Sequence, residues 1–390
     1  MNNSIKLTQF DTNLVKVPPM AVFFEFRDQL NIDQLYISIL KTLKLFPTFS
    51  AKFIGDGEYF LCYIPDYFGF NFSISLDKKL SSSPHRNTDF KSLSVLGFPR
   101  TIDQPVLNIF VIHKANGTQL TINLSHGVAD GTSLKLFTFQ LFSFLKNKGI
   151  QITPLPQKKI YLEKSDKQLN TQVNYKNHLV NLENFSFRSG YFNEFIIPFD
   201  RIKSLYKEMY LSKDAEDLKL HDVISSLLLK CLATHLSYNN KEINLIIPVD
   251  VRNLYGSLNS YYVGNGFAEA FCSWKIQEFL SIDSVDLALQ IRQVINKFSD
   301  VNFLKSKLEM KQNGLSFEKF NKGEIHDFAY DEFIALTSLG RSNSLLSISD
   351  STRIGVIADN SYNIAVFRIN CDYVINITSP QQLPNLALLY

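Results

Sequence analysis

Residues 120–131 read Leu120-Thr121-Ile122-Asn123-Leu124-Ser125-His126-Gly127-Val128-Ala129-Asp130-Gly131. The apolar run up to Ser125 predicts a strand, and the pattern of Thr132–Lys146 predicts a helix. Between them stands a histidine at a strand end, with a carboxylate four residues on and glycines that permit a sharp turn. Such a strand–turn–helix edge projects side chains from a rigid sheet into a groove. His126 is therefore the candidate general base, because imidazole accepts a proton near pH 7. The ordinary alternative is a structural histidine that bonds a loop carbonyl. Thr132 or Ser133 is expected to cap the helix, and Gly131 is expected to need a backbone that other residues dislike. Asp130 has two open roles: it orients the imidazole as a triad carboxylate does, or it pairs with a cation to hold the loop. If buried it needs a partner, and Arg252 in Pro248-Val249-Asp250-Val251-Arg252 is the candidate.

Working outward, Met20–Phe26 reads as a buried strand. Ile32, Leu35, Ile39, Leu43 and Phe46 mark one helical face that Pro47 ends. Phe49–Ile54 with Glu58–Tyr63, and Pro105–His113 with Thr118–Ser125, read as strand pairs across glycine-containing turns. Residues 77–104 read as a loop or a mobile crossing. Phe192–Phe199, Ile243–Val249, Gly266–Trp274, Phe333–Ser338, Arg353–Ala358, Tyr362–Asn370 and Tyr373–Thr378 read as strands, and Asp222–Leu236 and Val285–Phe298 as helices. The alternation predicts an α/β protein with two mixed-sheet domains. The expected division is 1–160, a polar connection 161–190, and 191–390.

The 390 residues exceed what one core usually organises. A net charge of +3 is too small for a nucleic-acid surface, and 33 Phe predict aromatic cores. Cys62, Cys231, Cys272 and Cys371 show neither metal-ligand nor redox spacing, so free, mostly buried thiols are expected and no metal. The start of the sequence lacks a signal-peptide pattern, and no apolar stretch of about 18 residues occurs. The expectation is a cytoplasmic monomer without a membrane span. No G-x-S-x-G elbow, P-loop or G-x-G-x-x-G is present. His113, His221, His235 and Trp274 are read as packing or capping groups, and the Lys158–Lys167 cluster as a solvated linker.

Ser125-His126-Gly127-Val128-Ala129-Asp130-Gly131 resembles the HxxxDG motif of the BAHD and related acyltransferases, a superfamily that includes chloramphenicol acetyltransferase-like and condensation-domain proteins. Weaker matches follow in order: Leu7–Asp11 with Phe23-Phe24, Leu35–Ser50, Asp103–Leu107, Leu220–Val223, Val249–Arg252 with Tyr262–Asn265, and Thr337–Arg341. Together they span about 7–378. The resemblance implies two chloramphenicol acetyltransferase-like domains, each a mixed sheet with flanking helices, and an active-site channel between them. It implies that His126 is the base, that Asp130 with Gly131 is structural and paired with Arg252, and that Thr337 or Ser338 offers a hydroxyl to the tetrahedral intermediate. Tyr262 and Asn265 are candidates to face the cleft.

The implied reaction is direct transfer of an acyl group from a thioester, first of all acyl-CoA as co-substrate, to a hydroxyl or amine. No permanent cofactor is implied, and secondary metabolism is the expected setting. The residues agree with this chemistry. A base in hydrogen-bond reach deprotonates a sluggish neutral nucleophile, a donor stabilises the oxyanion, and no nucleophile beside His126 suggests a covalent route. Two departures stand out. Asp350-Ser351-Thr352-Arg353-Ile354 replaces the Asp-Phe-Gly-Trp-Gly of plant-type members, and Ser125 replaces a second histidine. The first motivates a rival reading: a catalytically silent, condensation-like module that binds a carrier protein or partner.

Overall fold

A computed structural model of the chain describes residues 4–7, 11, 14–15, 17–56, 59–63, 69–77, 87–97, 104–149, 152, 154–156, 179–212, 216–236, 242–252, 261–312, 333–341, 349–357, 362–380 and 382–383. They form two compact units. The first comprises Met1–Ser189, Gly256–Gly266 and Asn343–Asp359; the second comprises Gly190–Tyr255, Phe267–Ser342 and Asn360–Tyr390. The chain thus returns to the first unit twice after leaving it.

In the first unit, β1 (Met20–Phe26) leads to α1 (Ile32–Leu45). The buried residues Leu35, Tyr36, Ile39 and Leu43 of α1 fall at helical spacing. The Asn31 side chain accepts from Gln34 N at 2.9 Å and starts the helix. Pro47 cannot donate a backbone hydrogen bond, and the chain tightens there into the 3-10 turn Pro47–Ser50. This corrects the expected strand Phe49–Ile54: Phe49 and Ser50 belong to the turn, and the strand is Lys52–Asp56, paired antiparallel with Tyr59–Tyr63.

The main sheet adds β2 (Asn71–Asp77), β3 (Leu107–Lys114) and β4 (Gly117–Leu124). Its order is Arg353–Ile357, β1, β4, β3, β2, with β2 and β3 parallel and the other pairs antiparallel. Gly117 takes a φ of 131° at the β3–β4 turn, where a Cβ would collide with Phe26 O.

All eight residues of β4 are buried. One face carries Leu120, Ile122 and Leu124 into the core with Phe24 and Ile109. The other face is polar but occupied. Gln119, Thr121 and Asn123 donate to the carbonyls of Ser92, Leu93 and Ser94 at 3.4, 2.8 and 3.1 Å. Those bonds offset the desolvation of three polar side chains and fasten residues 92–94 across the strand. The last strand before His126 is therefore held on both faces. After the motif, α2 (Gly131–Leu145) packs Phe137 edge-on to Phe46 at 5.6 Å and Phe142 edge-on to Phe24 at 4.6 Å. Each buried ring contributes roughly 1.5–3 kcal/mol.

The second unit contains β5 (Tyr191–Pro198), α3 (Phe199–Ser212), α4 (Leu220–Leu236), β6 (Glu242–Asp250), β7 (Phe267–Lys275), α5 (Ser284–Asn296), β8 (Phe333–Arg341), β9 (Tyr362–Ile369) and β10 (Asp372–Ser379). Its strands run β7-β6-β8-β9-β10-β5, with β8 parallel to both β6 and β9. Asp222 on α4 is fully buried, and Arg292 on α5 donates to both its oxygens at 2.8 Å. A bidentate partner is what a buried carboxylate requires. Trp274 is core, with Nε1 donating to Gln290 at 2.7 Å. Cys231 and Cys272 are buried free thiols, whereas Cys371 is free and exposed. Both units are thus mixed sheets with flanking helices, the expected fold class. Among the described residues no helix is long and apolar enough to cross a membrane, and none of their His, Cys, Asp and Glu residues group in a way that could hold a metal ion.

Candidate active site

Ser125 ends β4 by donating its backbone N–H to Val106 O at 3.0 Å. Residues 126–128 then turn, with Val128 N donating to Ser125 O at 3.3 Å and Gly127 N to Ser125 Oγ at 3.3 Å. Val128 and Ala129 are buried, while the His126 imidazole is only half-buried. Gly127 is required by packing: a Cβ there would collide with Val15 Cγ2 and sit 3.3 Å from both Asp11 O and Phe53 Cζ.

Asp130 closes the turn and starts α2. Its backbone is extended, with φ −112° and ψ −177°, and its Oδ1 accepts from Ser133 N and Ser133 Oγ, both at 2.9 Å. Asp130 itself is the N-cap, which corrects the expectation that Thr132 or Ser133 caps this helix. Gly131 is the first residue of α2. The special backbone expected there is found instead at Gly264, with φ 145°. A negative side chain at a helix N-terminus is also favoured by the helix dipole.

The far side of the loop is held by Tyr262–Gly266. Gly266 N donates to Asp130 Oδ2 at 2.9 Å, Gly264 N donates to Ser133 Oγ at 3.0 Å, and Gly264 O lies 2.9 Å from that hydroxyl, whose single hydrogen it shares with Asp130 Oδ1. Asn265 Nδ2 donates to the backbone oxygen of His126 at 2.9 Å and to Asp11 Oδ1 at 2.8 Å. Tyr262, the other expected cleft residue, is half-buried on a two-residue strand paired with Leu155–Pro156. Three consecutive residues far from the motif, Gly264, Asn265 and Gly266, thus hold its carboxylate, its histidine carbonyl and Ser133 in the first turn of α2. Burial pushes the Lys135 ammonium on α2 below the usual lysine range.

The remaining expected site residues lie in the second unit. Arg252 is only 1% exposed, and its Nη1 is 3.2 Å from Asp250 Oδ2. Thr337 is half-buried and Ser338 exposed on β8. The register against β9 shifts between Ser338 and Gly340, the local distortion of a bulge, which re-aims neighbouring side chains. Near the departure from the plant-type motif, Asp350 has φ 54° and its Oδ2 is 2.9 Å from Lys146 Nζ at the end of α2. Thr352 N donates to Glu25 O at 2.7 Å. The substituted segment is therefore bonded into the first unit. The Lys158–Lys167 cluster lies outside the described residues. Ser133, Gly264 and Asp11 were not read from sequence as site residues. Ser133 alone had a local signal, its position three after an N-cap aspartate.

The sequence matches the Transferase family over residues 85–336. A search of curated proteins found no match. Solved structures with a similar fold include TRI101 of F. sporotrichioides complexed with coenzyme A and T-2, at 12% identity and TM-score 0.65 over 96% of this chain and 94% of that one. Vinorine synthase aligns at 16% identity and TM-score 0.61, covering 96% and 90%. The epimerization domain from the third module of tyrocidine synthetase B aligns at 12% and 0.58, covering 100% and 94%.

Proposed function

The chain belongs to the Transferase family, and from that premise we propose that it transfers an acyl group from an acyl thioester, acyl-CoA first, to a hydroxyl or amine, with His126 as general base. The observation that carries this reading is the His126 turn: a half-buried imidazole at the end of a strand buried on both faces, with Ser125 N bonded to Val106 O, the His126 carbonyl to Asn265 and the Asp130 carboxylate to Gly266 N. TRI101, which shares the fold, was solved with coenzyme A.

His126 Nδ1 is buried, so proton transfer falls to Nε2. The acceptor's O–H or N–H gives its proton to Nε2 as its heteroatom attacks the thioester carbonyl carbon. The carbonyl electrons move onto oxygen. When the tetrahedral species collapses, the C–S bond breaks and the thiolate takes the proton back from the imidazolium. The products are the ester or amide and free CoA thiol, and His126 returns to its neutral form. The oxyanion needs a donor in reach; Thr337→Val and Ser338→Ala test whether either hydroxyl serves. Holding base and substrate in fixed geometry is the larger contribution such a site can make.

The test is thiol release from several acyl-CoAs offered with pooled alcohols and amines. Release that depends on an acceptor supports the proposal. No release with any donor, together with carrier-protein binding, supports the silent-module reading.

A further inference from the structure

We propose that Asn265 is a positioning residue for His126, holding the catalytic turn against an N-terminal prop formed by Asp11 and Val15. This rests on the acyl-transfer reading only for the word catalytic; the geometry belongs to the turn itself. The carboxamide nitrogen of Asn265 has two hydrogens, and two acceptors take them: His126 O at 2.9 Å and Asp11 Oδ1 at 2.8 Å. Both hydrogens of that nitrogen are thereby engaged within the protein. The first bond fixes the peptide plane that follows His126, and with it the direction in which the His126 side chain leaves the backbone. The second ties that plane to residue 11.

The same N-terminal residues reach the turn a second time. The missing Cβ of Gly127 is where Val15 Cγ2 sits, with Asp11 O 3.3 Å from that position. Asp11 and Val15 are themselves buried, at 3% and 4% exposure. His126 is therefore bracketed from two directions. On its peptide oxygen an amide links it to Asp11, and beneath Gly127 a side chain fills the space. Val106 O holds Ser125, the residue before His126, and Asp130 caps α2 through Ser133. Asn265 acts on the histidine's own carbonyl and Val15 packs beneath the next residue. A displacement of about 1 Å at such a group lowers turnover by about 10²-fold.

Asn265→Asp keeps the volume and removes both donations, and it sets a second carboxylate against Asp11. Asn265→Ala removes the amide, Asp11→Ala removes the prop's acceptor, and Asp11→Asn keeps an oxygen that can accept. Two readouts are taken on the full chain: hydrogen exchange of the peptide spanning 124–131, and steady-state thiol release. The expected result is faster exchange in that peptide for Asn265→Asp and Asn265→Ala. The expected kinetics are a kcat lowered about 10²-fold with KM for acyl-CoA changed less than about two-fold, and more kcat kept by Asp11→Asn than by Asp11→Ala. Unchanged exchange with a raised KM overturns the proposal and makes Asn265 a substrate contact. Should Asn265→Asp fail to fold, Asp11→Ala carries the same test from the other end of the amide. If the native chain releases no thiol, the functional proposal fails while the exchange measurement still decides the role of Asn265.

Discussion

Asp130→Ala and Asp130→Asn separate an architectural carboxylate from one that acts on the imidazole. Alanine removes the helix cap, the 2.9 Å acceptance from Ser133 N, at a cost of about 1 kcal/mol. It also removes the acceptor of the buried Gly266 N–H. That N–H keeps a 3.1 Å contact with Gly264 O, so the second loss lies near the lower end of the range, about 1 kcal/mol. Ser133 Oγ keeps Gly264 O as its acceptor. The sum is about 2 kcal/mol, or a melting shift of about 4–8 °C for a unit of this size. Asparagine caps a helix as well as aspartate does, but its NH2 group then faces Gly266 N–H, so about half that loss is expected. Scanning calorimetry and thiol release on the same preparations make the assay. Activity should fall in step with stability, with Asn between native and Ala. An Asn variant as stable as the native chain but inactive would refute the reasoning and give Asp130 a direct role on His126. The expected partnership of Asp130 with Arg252 is tested by a double-mutant cycle: a coupling above about 0.5 kcal/mol supports it, and additivity rejects it.

Gly127→Ala forces a methyl group against Val15, and the adjustment should destabilise the chain by about 1–3 kcal/mol, read by urea denaturation. Burial holds the His221 imidazole below its ordinary range, against the pull of the Asp222 carboxylate and with a smaller push from Arg292. The unfolded chain therefore binds that proton more tightly, and stability should fall as pH drops below about 6.5. His221→Gln should flatten that part of a stability-against-pH curve, whereas an unchanged slope would remove His221 as its source. Burial pushes the Cys272 thiol up to about 12, so it stays protonated and unreactive at neutral pH. Iodoacetamide mapping should modify exposed Cys371 well before Cys231 or Cys272.

The strand, turn and helix around His126 were legible because their signals are local, an apolar run and two glycines ahead of a helical pattern, whereas the cap was not, since Asp130, Thr132 and Ser133 are all residue types that cap helices. The helix at Ile32–Leu45 was legible for the same reason, with one apolar stripe and a proline to end it. Asn71–Asp77 alternates Phe72, Ser73, Ile74, Ser75 and Leu76, a period-two strand signal carried by only three apolar residues. Ile202 and Met209 mark a buried side of Phe199–Ser212, yet the polar residues between them weaken that pattern.

What could not be read locally is the support of the turn. Asn265 and His126 are 139 positions apart, and Asp11 and Asn265 are 254 apart. Nothing in either segment alone announces the other. Gly131 and Gly264 illustrate the same limit: both precede or follow turns in the sequence, but only the backbone shows that Gly264 carries the unusual φ.

The central claim is that His126 takes the acceptor's proton, and a single-turnover measurement with bound acyl-CoA tests it most directly. With native protein and a productive acceptor, acyl product and free thiol should form together. With His126→Ala the rate should fall about 10²–10⁴-fold while acyl-CoA binding, measured by calorimetry, stays the same. Transfer by His126→Ala at the native rate would contradict the account.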